Sequence, residues 1–408
     1  MHAAADLLEA EGEEVSRMIT AEMGKPIAQS RAEVAKSVYT MRFYAERAEE
    51  FLTGRELPDP AVVSASAART RFDPLGVVLA VMPWNYPIWQ VVRFAAPALM
   101  AGNAGVLKHA SNVPQAAVYL GALFTRAGFP EGAFSSLLIG ASRVEEVIRD
   151  ARVAAVTLTG SEAAGRAIAA AAGDVLKKAV LELGGSDAFI VMPSADVTTA
   201  VEIAVKARTT NNGQACINAK RFIVHGDVYD EFSALFTDRM AALAIGDPAS
   251  PETELGPLAT RSGLFDIEDL VDDAEAKGAR ILTGGERVAG AGWFYRPTVV
   301  AELTPEMRLY AEEAFGPVAS LYRVESLDEA LAVANDSEFG LGSAFWSNDA
   351  GEIARAESEL QAGAVFVNGM TISYAELPFG GIKRSGYGRE LSREGIREFC
   401  NLKTVWVA

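Results

Sequence analysis

The chain has 408 residues, of which 50% are hydrophobic and 22% charged, a composition typical of globular proteins. A chain of this length is expected to form two or three domains. Its 54 acidic and 37 basic residues give a formal net charge of −17, which argues against nucleic acid or an anionic membrane as a partner. Two cysteines exclude a disulfide framework, and three dispersed histidines lack metal-ligand spacing, so we expect a cytoplasmic protein without a metal.

The N-terminal part of the sequence predicts helices. Residues 2–52 have helical periodicity with almost no breakers before Gly24 and Pro26, which indicates two or three helices. The first residues are acidic and amphipathic and lack the basic and apolar regions of a signal peptide. Residues 56–74 combine three prolines with a β-prone stretch, which predicts a hairpin or an arm that leaves the helical body.

From Gly76 onward, strand-like and helix-like segments alternate. Strands separated by helices of 10–15 residues predict a parallel α/β sheet. A second α/β zone follows residue 183, with helices expected near 197–210, 227–243 and 263–278. The C-terminal segment NLKTVWV has strand composition and lies outside both zones.

Two segments carry the clearest chemical signal. Glu182 lies in LELGGSD and Cys216 in NNGQAC, so each ionisable side chain stands near glycines that allow the backbone to approach a ligand. A thiolate attacks carbonyl carbons and a carboxylate can activate water. A lone cysteine is more often a small buried apolar residue, but this context favours covalent catalysis through a thioester that is then hydrolysed.

A third segment, TGSEAAG, places Gly160, Ser161 and Gly165 where a strand turns into a helix. Free amides and the helix dipole at such a turn suit a phosphate. A serine that only caps the helix is the alternative interpretation.

Taken together, seven ordered motifs resemble the aldehyde dehydrogenase superfamily, and their amino-acid sequences are most similar to its succinate-semialdehyde dehydrogenase branch. The resemblance covers the chain from about residue 5. The motifs are MPWNYP (82–87), LKHAS (107–111), TGSEAAG (159–165), LELGGSD (181–187), NNGQAC (211–216), EEAFGPV (312–318) and PFGGIKRSG (378–386).

The resemblance implies a Rossmann-like parallel-sheet cofactor domain, an α/β catalytic domain and a small β oligomerisation arm in a homodimer or homotetramer. It also implies about fifty further N-terminal residues, whose absence would expose the edge of the cofactor domain. The expected boundaries are 1–55 and 75–183 for the cofactor domain, completed by part of 367–393, then 184–366 for the catalytic domain, and 56–74 with 394–408 for the arm.

The resemblance implies roles for three catalytic residues. Cys216 matches the nucleophile that attacks the aldehyde, and Asn85 matches the donor to the developing oxyanion. Glu182 matches the base that activates water for deacylation, and its presence favours a free acid product over an acyl-CoA. Burial between leucines would raise the pKa of Glu182, although a strand-end glutamate in solvent is the simpler alternative.

The implied cofactor is NADP or NAD, with NADP favoured. Lys108 matches the ribose-binding lysine, and Ser111 lies near the position where many NAD-preferring members carry a glutamate that would repel a 2′-phosphate. Together with His109, these residues should tolerate that phosphate. The cofactor residues implied by the motifs are Trp84, Lys108, Ser111, Gly160, Ser161, Gly165, Glu313 and Phe315.

The implied substrate residues are Arg93, nine positions after Trp84, and Ser373. An arginine on an otherwise apolar helix could face the mouth of a tunnel and pair with the distal carboxylate of succinate semialdehyde. Trp89 could line that tunnel. Some relatives have a second arginine where this chain has Thr210, and Arg208 is a possible substitute.

The resulting prediction is NAD(P)-dependent oxidation of succinate semialdehyde to succinate. The alternatives are a dehydrogenase for glutarate semialdehyde or an uncharged aliphatic aldehyde, and a catalytically impaired homologue that keeps the fold.

Overall fold

The computed structural model describes residues 1–408. Its helices are α1 (His2–Ala10), α2 (Gly12–Met23), α3 (Ile27–Phe51), α4 (Trp89–Met100), α5 (Pro114–Arg126), α6 (Val144–Arg149), α7 (Glu162–Asp174), α8 (Val197–Thr209), α9 (Gly226–Ala241), α10 (Arg261–Ala276), α11 (Arg308–Ala311), α12 (Leu327–Asn335), α13 (Ala350–Glu359) and α14 (Ser392–Glu398).

The strands are β1 (Ala67–Pro74), β2 (Val77–Met82), β3 (Ala104–His109), β4 (Phe134–Ser136), β5 (Val153–Thr159), β6 (Lys178–Glu182), β7 (Asp187–Val191), β8 (Ala219–His225), β9 (Arg280–Thr283), β10 (Thr298–Ala301), β11 (Val318–Val324), β12 (Phe339–Gly340), β13 (Ser343–Trp346), β14 (Val365–Val367), β15 (Ile382–Lys383), β16 (Gly386–Tyr387) and β17 (Cys400–Val407).

The first large sheet has the strand order β16-β6-β5-β2-β3-β4. All neighbours in it run parallel except the short β16, which pairs antiparallel with β6. Both faces are covered, as expected for a parallel sheet. Along β2, Val78 and Ala80 pack into the cluster formed with α1–α5, whereas Leu79 packs on the opposite face with α6 and α7.

The second sheet has the order β14-β13-β7-β8-β11-β10-β9, and only β9 is antiparallel. Aromatic side chains fill one face, where the rings of Phe189, Phe222 and Phe236 pack in succession with centroids 5.4 and 4.7 Å apart. The predicted α/β class with alternating helices and strands is confirmed. The predicted boundary between residues 183 and 184 falls in the loop that joins β6 to β7.

The third element is a ribbon. β1 pairs antiparallel with β17 along its whole length, from Ala67 opposite Val407 to Pro74 opposite Cys400. The 56–74 segment also pairs with itself at one point, where Glu56 forms an antiparallel bridge with Arg69 and the Leu57 amide donates to the Ala68 oxygen at 2.8 Å. None of the helices combines the length and apolar character needed to cross a membrane.

Candidate active site

The predicted site residues gather at one edge of the first sheet. Strands β2, β3, β5 and β6 are parallel and end at Met82, His109, Thr159 and Glu182. The carboxyl ends of parallel strands meet at the same edge, where open α/β sheets bind ligands. The segments that follow these strands therefore bring Asn85, Ser111 and Ser161 to the same edge as Glu182.

Cys216 lies on a tight loop between α8 and β8. A short 3-10 helix, Thr210–Gly213, precedes it, and both Asn211 and Asn212 have left-handed backbone with φ of 58°. Gly213 has φ of 77°, and a Cβ there would lie 2.3 Å from the carbonyl carbon of Gly316. Glycine is needed at this position because the loop lies directly against the backbone of Gly316 and leaves no room for a side chain.

A buried lysine holds this loop. The Lys220 ammonium donates to the backbone oxygens of Ala215 (2.9 Å) and Cys216 (2.7 Å), and it pairs with Glu313 at 2.9 Å. Lys220 thereby connects the nucleophile loop to the segment that carries Glu313. Sequence reasoning missed this residue, and its only signal was a charge within the apolar strand β8.

Arg208 has a similar structural role. Its fully buried guanidinium donates to the backbone oxygens of Gly213 (2.6 Å) and Ala219 (3.1 Å). These bonds fix the two ends of the nucleophile loop. Arg208 is therefore not available as a second substrate arginine.

The glycines of LELGGSD allow a close approach between chain segments. A Cβ on Gly185 would lie 2.6 Å from the carbonyl oxygen of Cys216, and one on Gly184 would lie 2.5 Å from a carboxylate oxygen of Glu313. Larger residues would push the nucleophile loop and Glu313 away from the sheet edge. The two glycines of the motif are thus required for steric reasons, in addition to the role predicted for Glu182.

Asn85 is buried against the nucleophile loop. Its Nδ2 donates to the backbone oxygen of Gln214 at 3.0 Å, and Asn211 Nδ2 donates to the Asn85 carbonyl at 2.8 Å. A carboxamide nitrogen has two hydrogens, so one N–H remains for an oxyanion.

The surroundings set the protonation of Cys216 and Glu182. Burial raises the pKa of Cys216 to about 12, against the opposing effect of the positive charges of Arg93 and Lys220. Burial also raises the pKa of Glu182 well above its usual value, and repulsion by Glu390 adds to this. Glu182 is 1% exposed and neither carboxylate oxygen has a hydrogen-bond partner, so it is not a strand-end residue in solvent.

Arg93 forms an ion pair that the sequence did not predict. Its guanidinium is buried, pairs with Glu390 at 2.5 Å, donates to Thr159 at 3.1 Å and lies over the Phe379 ring. Arg93 does not line the cavity described below, and neither does Cys216, so the expectation that Arg93 faces a tunnel mouth and pairs with substrate stays a prediction. Its partner Glu390, which follows the PFGGIKRSG motif, was not recognised from the sequence.

A cavity of about 730 Å³ opens beside the nucleophile loop and reaches Ile217, the residue after Cys216. Trp89, Thr210 and Ser373 line it, together with Lys36 from α3. The Lys36 ammonium donates to Ser373 Oγ at 2.7 Å and lies 4.3 Å from the centre of the Trp89 ring. The structure therefore places Ser373 and Trp89 in a cavity and adds a lysine that sequence reasoning missed.

The expected cofactor residues lie along the sheet edge. Lys108 is half-buried and forms no ion pair, and Ser111 is exposed. The Ser161 hydroxyl accepts from the Ala164 amide at 3.4 Å, which is the helix cap considered as its alternative role. Gly160 precedes this cap, and Gly165 packs closely on Leu183.

His109 does not contribute as expected. Its ring nitrogens lie 3.3 Å from the Met82 oxygen and 2.9 Å from the Pro87 oxygen. Burial lowers its pKa to about 4, so it is neutral near neutral pH and its ring is used within the fold. A 2′-phosphate near Ser111 would depend on Lys108 for positive charge.

Trp84 and Phe315, the two aromatic residues of the expected cofactor set, pack against each other. Their rings meet edge to face with centroids 5.8 Å apart, and the Glu313 that pairs with Lys220 lies two residues before Phe315. The two motifs MPWNYP and EEAFGPV, far apart in sequence, therefore meet at the nucleophile loop. No group of three or more His, Cys, Asp or Glu side chains is arranged to hold a metal ion.

This geometry agrees with what is found among known proteins. The chain is 59% identical over 406 residues to succinate-semialdehyde dehydrogenase [NADP(+)] 1 of Mycobacterium ulcerans (strain Agy99), covering 100% of this chain and 88% of that protein. It is 60% identical to the succinate-semialdehyde dehydrogenase [NADP(+)] of Mycobacterium avium (strain 104), covering 86% of that protein.

A solved structure is similar over the whole chain. The succinic semialdehyde dehydrogenase of Streptococcus pyogenes, in complex with NADP+, matches with a TM-score of 0.96 and 39% identity, covering 100% of this chain and 88% of that one. The family model described as "Aldehyde dehydrogenase family" matches residues 1–405. The chain therefore belongs to the aldehyde dehydrogenase family.

Proposed function

We propose that this protein oxidises succinate semialdehyde to succinate with NADP+ as the oxidant. The observation that carries the proposal is 59–60% identity, over the full chain, to proteins named as succinate-semialdehyde dehydrogenases that use NADP(+). The balanced reaction consumes the aldehyde, NADP+ and water and yields the carboxylate, NADPH and two protons.

The first step uses Cys216. Its raised pKa means that the thiol must lose its proton before the sulfur attacks the aldehyde carbon. Glu182 is the proposed acceptor, because it is among the charged groups that act on Cys216 and its oxygens have no other partner. The new C–S bond gives a thiohemiacetal, whose oxygen is stabilised by the free Asn85 N–H and the Cys216 amide.

When bound, NADP+ supplies the acceptor for the hydride that leaves the former aldehyde carbon. The residues proposed to hold it fit this role, since the edge offers an uncompensated lysine, a serine and no carboxylate at positions 108 and 111. Ser161 lies at the N-terminus of α7, where free amides suit a phosphate. Trp84, Gly160, Gly165, Glu313 and Phe315 complete the proposed cofactor set.

Before the last step, Glu182 releases to solvent the proton that it took from Cys216, and it then acts as a base again. Its raised pKa makes it a stronger base than a carboxylate in solvent, which suits proton removal from the water that attacks the thioester. The C–S bond breaks, Cys216 regains a proton from Glu182, and the acid product loses the second proton of the balanced reaction. A free acid leaves, since hydrolysis and not transfer to a thiol acceptor ends the cycle.

We further propose that the ribbon of β1 and β17 mediates self-association, with the boundaries expected for the arm. Leu402 is 60% exposed and Trp406 51% exposed on β17, and Val62 beside it is 71% exposed. Such a ribbon is not stable as an isolated pair and its apolar groups need a cover, which a second copy would provide. Light scattering after size exclusion should give a dimer or tetramer for the wild type and a smaller species for Leu402→Asp.

The deciding experiment follows NADPH or NADH absorbance with purified protein and an aldehyde panel. Succinate semialdehyde with NADP+ should give the highest kcat/KM, above glutarate semialdehyde and butanal. Cys216→Ala should abolish the signal, whereas Cys400→Ala should keep it, because Cys400 lies at the start of β17 and its thiol donates to the Ile396 oxygen four residues earlier. Higher activity with butanal than with either semialdehyde would contradict the proposed substrate.

A further inference from the structure

The cavity contains a cation that has no acidic partner. No carboxylate lies within ion-pair distance of Lys36, although 31 ion pairs occur in the chain. The nearest acid on its own helix is Glu33, and that carboxylate is already fully used. Its Oε1 accepts from the amides of Ile88 (2.9 Å) and Trp89 (3.0 Å), and its Oε2 pairs with the buried Lys25.

Lys36 therefore lies next to a satisfied acid without being neutralised by it. Lys36 is half-buried, and an ammonium partly removed from water is costly unless an anion or several acceptors compensate it. Lys36 has only the Ser373 oxygen and the face of Trp89, and burial lowers its pKa to about 7. This cost indicates that the ammonium is retained for a ligand and not for stability.

The remaining hydrogen-bonding capacity points to the shape of that ligand. An ammonium has three hydrogens, of which one is directed to Ser373. Ser373 is 4% exposed and its own O–H is not used within the chain. Two ammonium hydrogens and one hydroxyl hydrogen are thus available at one end of the cavity, which matches the two oxygens of a carboxylate.

The position of the cavity sets the rest of the ligand. Its lining includes Ile217, and the charge of a Cys216 thiolate is close enough to act on Lys36. Trp89 and Met370 supply apolar surface in the same lining. A short chain whose carboxylate lay at the ammonium would pass along this apolar surface towards Ile217, the residue after Cys216.

We propose that Lys36, with Ser373, is the direct contact for the distal carboxylate of the substrate and sets the preference for acidic aldehydes. This inference rests on the proposed function and names the residue responsible for its selectivity. Arg93 acts at longer range, since its guanidinium is held by Glu390.

The test compares succinate semialdehyde with butanal, which has the same chain length without the acid. Lys36→Met keeps the length and the apolar stem but removes the charge. It should lower kcat/KM for succinate semialdehyde by roughly 10- to 100-fold, while butanal changes by less than about threefold. Lys36→Arg should recover part of the loss, because it restores a cation.

Lys206→Met is the matched control, since Lys206 lines the same cavity but is exposed on α8. It should leave the ratio of the two kcat/KM values unchanged. A second readout is calorimetry with succinate, which should bind the wild type and Lys206→Met more tightly than Lys36→Met. This measurement does not depend on turnover.

An unchanged ratio in Lys36→Met, or equal losses for both aldehydes, would overturn the role of Lys36. Either result leaves the proposed function intact if the wild type prefers succinate semialdehyde. A wild type without that preference would instead overturn the proposed function itself.

Discussion

The cofactor side of the site lies along one edge of a parallel sheet, whereas the substrate side is a cavity between segments far apart in the chain. On the cofactor side, the positions of Lys108, Ser161 and Glu182 follow from where β3, β5 and β6 end. On the substrate side, Lys36 comes from α3, Trp89 from α4 and Ser373 from a loop 337 residues after Lys36.

The difference indicates how each side should respond to mutation. Residues placed by strand ends act on the cofactor or on the reacting atoms, and their replacement should affect all aldehydes alike. Residues of the cavity contact the variable part of the substrate, and their replacement should change selectivity. Four experiments test this separation, from the largest expected effect to the smallest.

Glu182→Gln should have the largest effect and should affect every aldehyde. The thioester would form but water would not be activated, so NADPH should appear in one burst followed by a loss of steady-state turnover of roughly 10²- to 10⁴-fold. Rapid-mixing absorbance measures the burst, and intact mass should show an acylated Cys216. Steady-state turnover equal to that of the wild type would remove Glu182 from the mechanism.

Arg93→Met tests whether Arg93 contacts the substrate or has a structural role. The sequence-based expectation is a selective loss of succinate semialdehyde, whereas the buried pair with Glu390 predicts losses for both aldehydes together with lower stability. Removing one partner of a buried pair costs about 3–5 kcal/mol. Thermal unfolding and the two kcat/KM values distinguish these outcomes, and we expect the parallel loss.

A matched comparison sharpens that experiment. Arg93→Met combined with Glu390→Gln removes both charges of the pair and should recover part of the lost stability, because no unpaired carboxylate remains. A selective loss of succinate semialdehyde at normal stability in the single variant would return Arg93 to the substrate side.

Ser111→Glu tests the cofactor side alone. A carboxylate at this exposed position would repel a 2′-phosphate and could accept hydrogen bonds from a 2′-hydroxyl, so binding of NADP+ should weaken by about tenfold while NAD+ changes little. Fluorescence titration with both cofactors measures the effect. Equal weakening of both would show that Ser111 does not border the adenosine ribose.

The smallest effect concerns pH and the substrate side. Lys36 has a pKa lowered to about 7, so it is charged below this pH and neutral above it. The ratio of kcat/KM for succinate semialdehyde to that for butanal should therefore fall as pH rises, by up to about fivefold between about pH 7 and 8. Cys216 and Glu182 titrate equally for both aldehydes, so the ratio cancels their contributions.

Other ionisable groups face Lys36. Arg93 on α4, Glu33 on its own helix and, when ionised, Cys216 on the nucleophile loop act on it, and the cavity lining also contains Glu202, Lys206, Arg239 and Glu254. Lys36→Arg should make the ratio independent of pH in this range, because arginine stays charged. A pH-dependent ratio in that variant would assign the titration to another group.

Much of the fold was predictable because its signals are local. Helices such as α8 and α9 and strands such as β2 and β8 follow from periodicity and apolar runs, which depend on neighbours within one segment. The 56–74 arm was only half recognised, since a strand can be read locally but its partner β17, over 300 residues away, cannot.

By itself, the sequence determined the class of the fold, the family and the residue types needed for the reaction, because glycines, a thiol and a carboxylate are constrained within short motifs. Only the tertiary structure decided which charges face which. Packing pairs Arg93 with Glu390 and places the His109 ring between two backbone carbonyls. It also directs Arg208 and Lys220 to the backbone of the nucleophile loop and leaves Lys36 without an ion-pair partner. The physical reason is that the partner of a buried charge is set by packing between distant segments, and no local pattern records that choice.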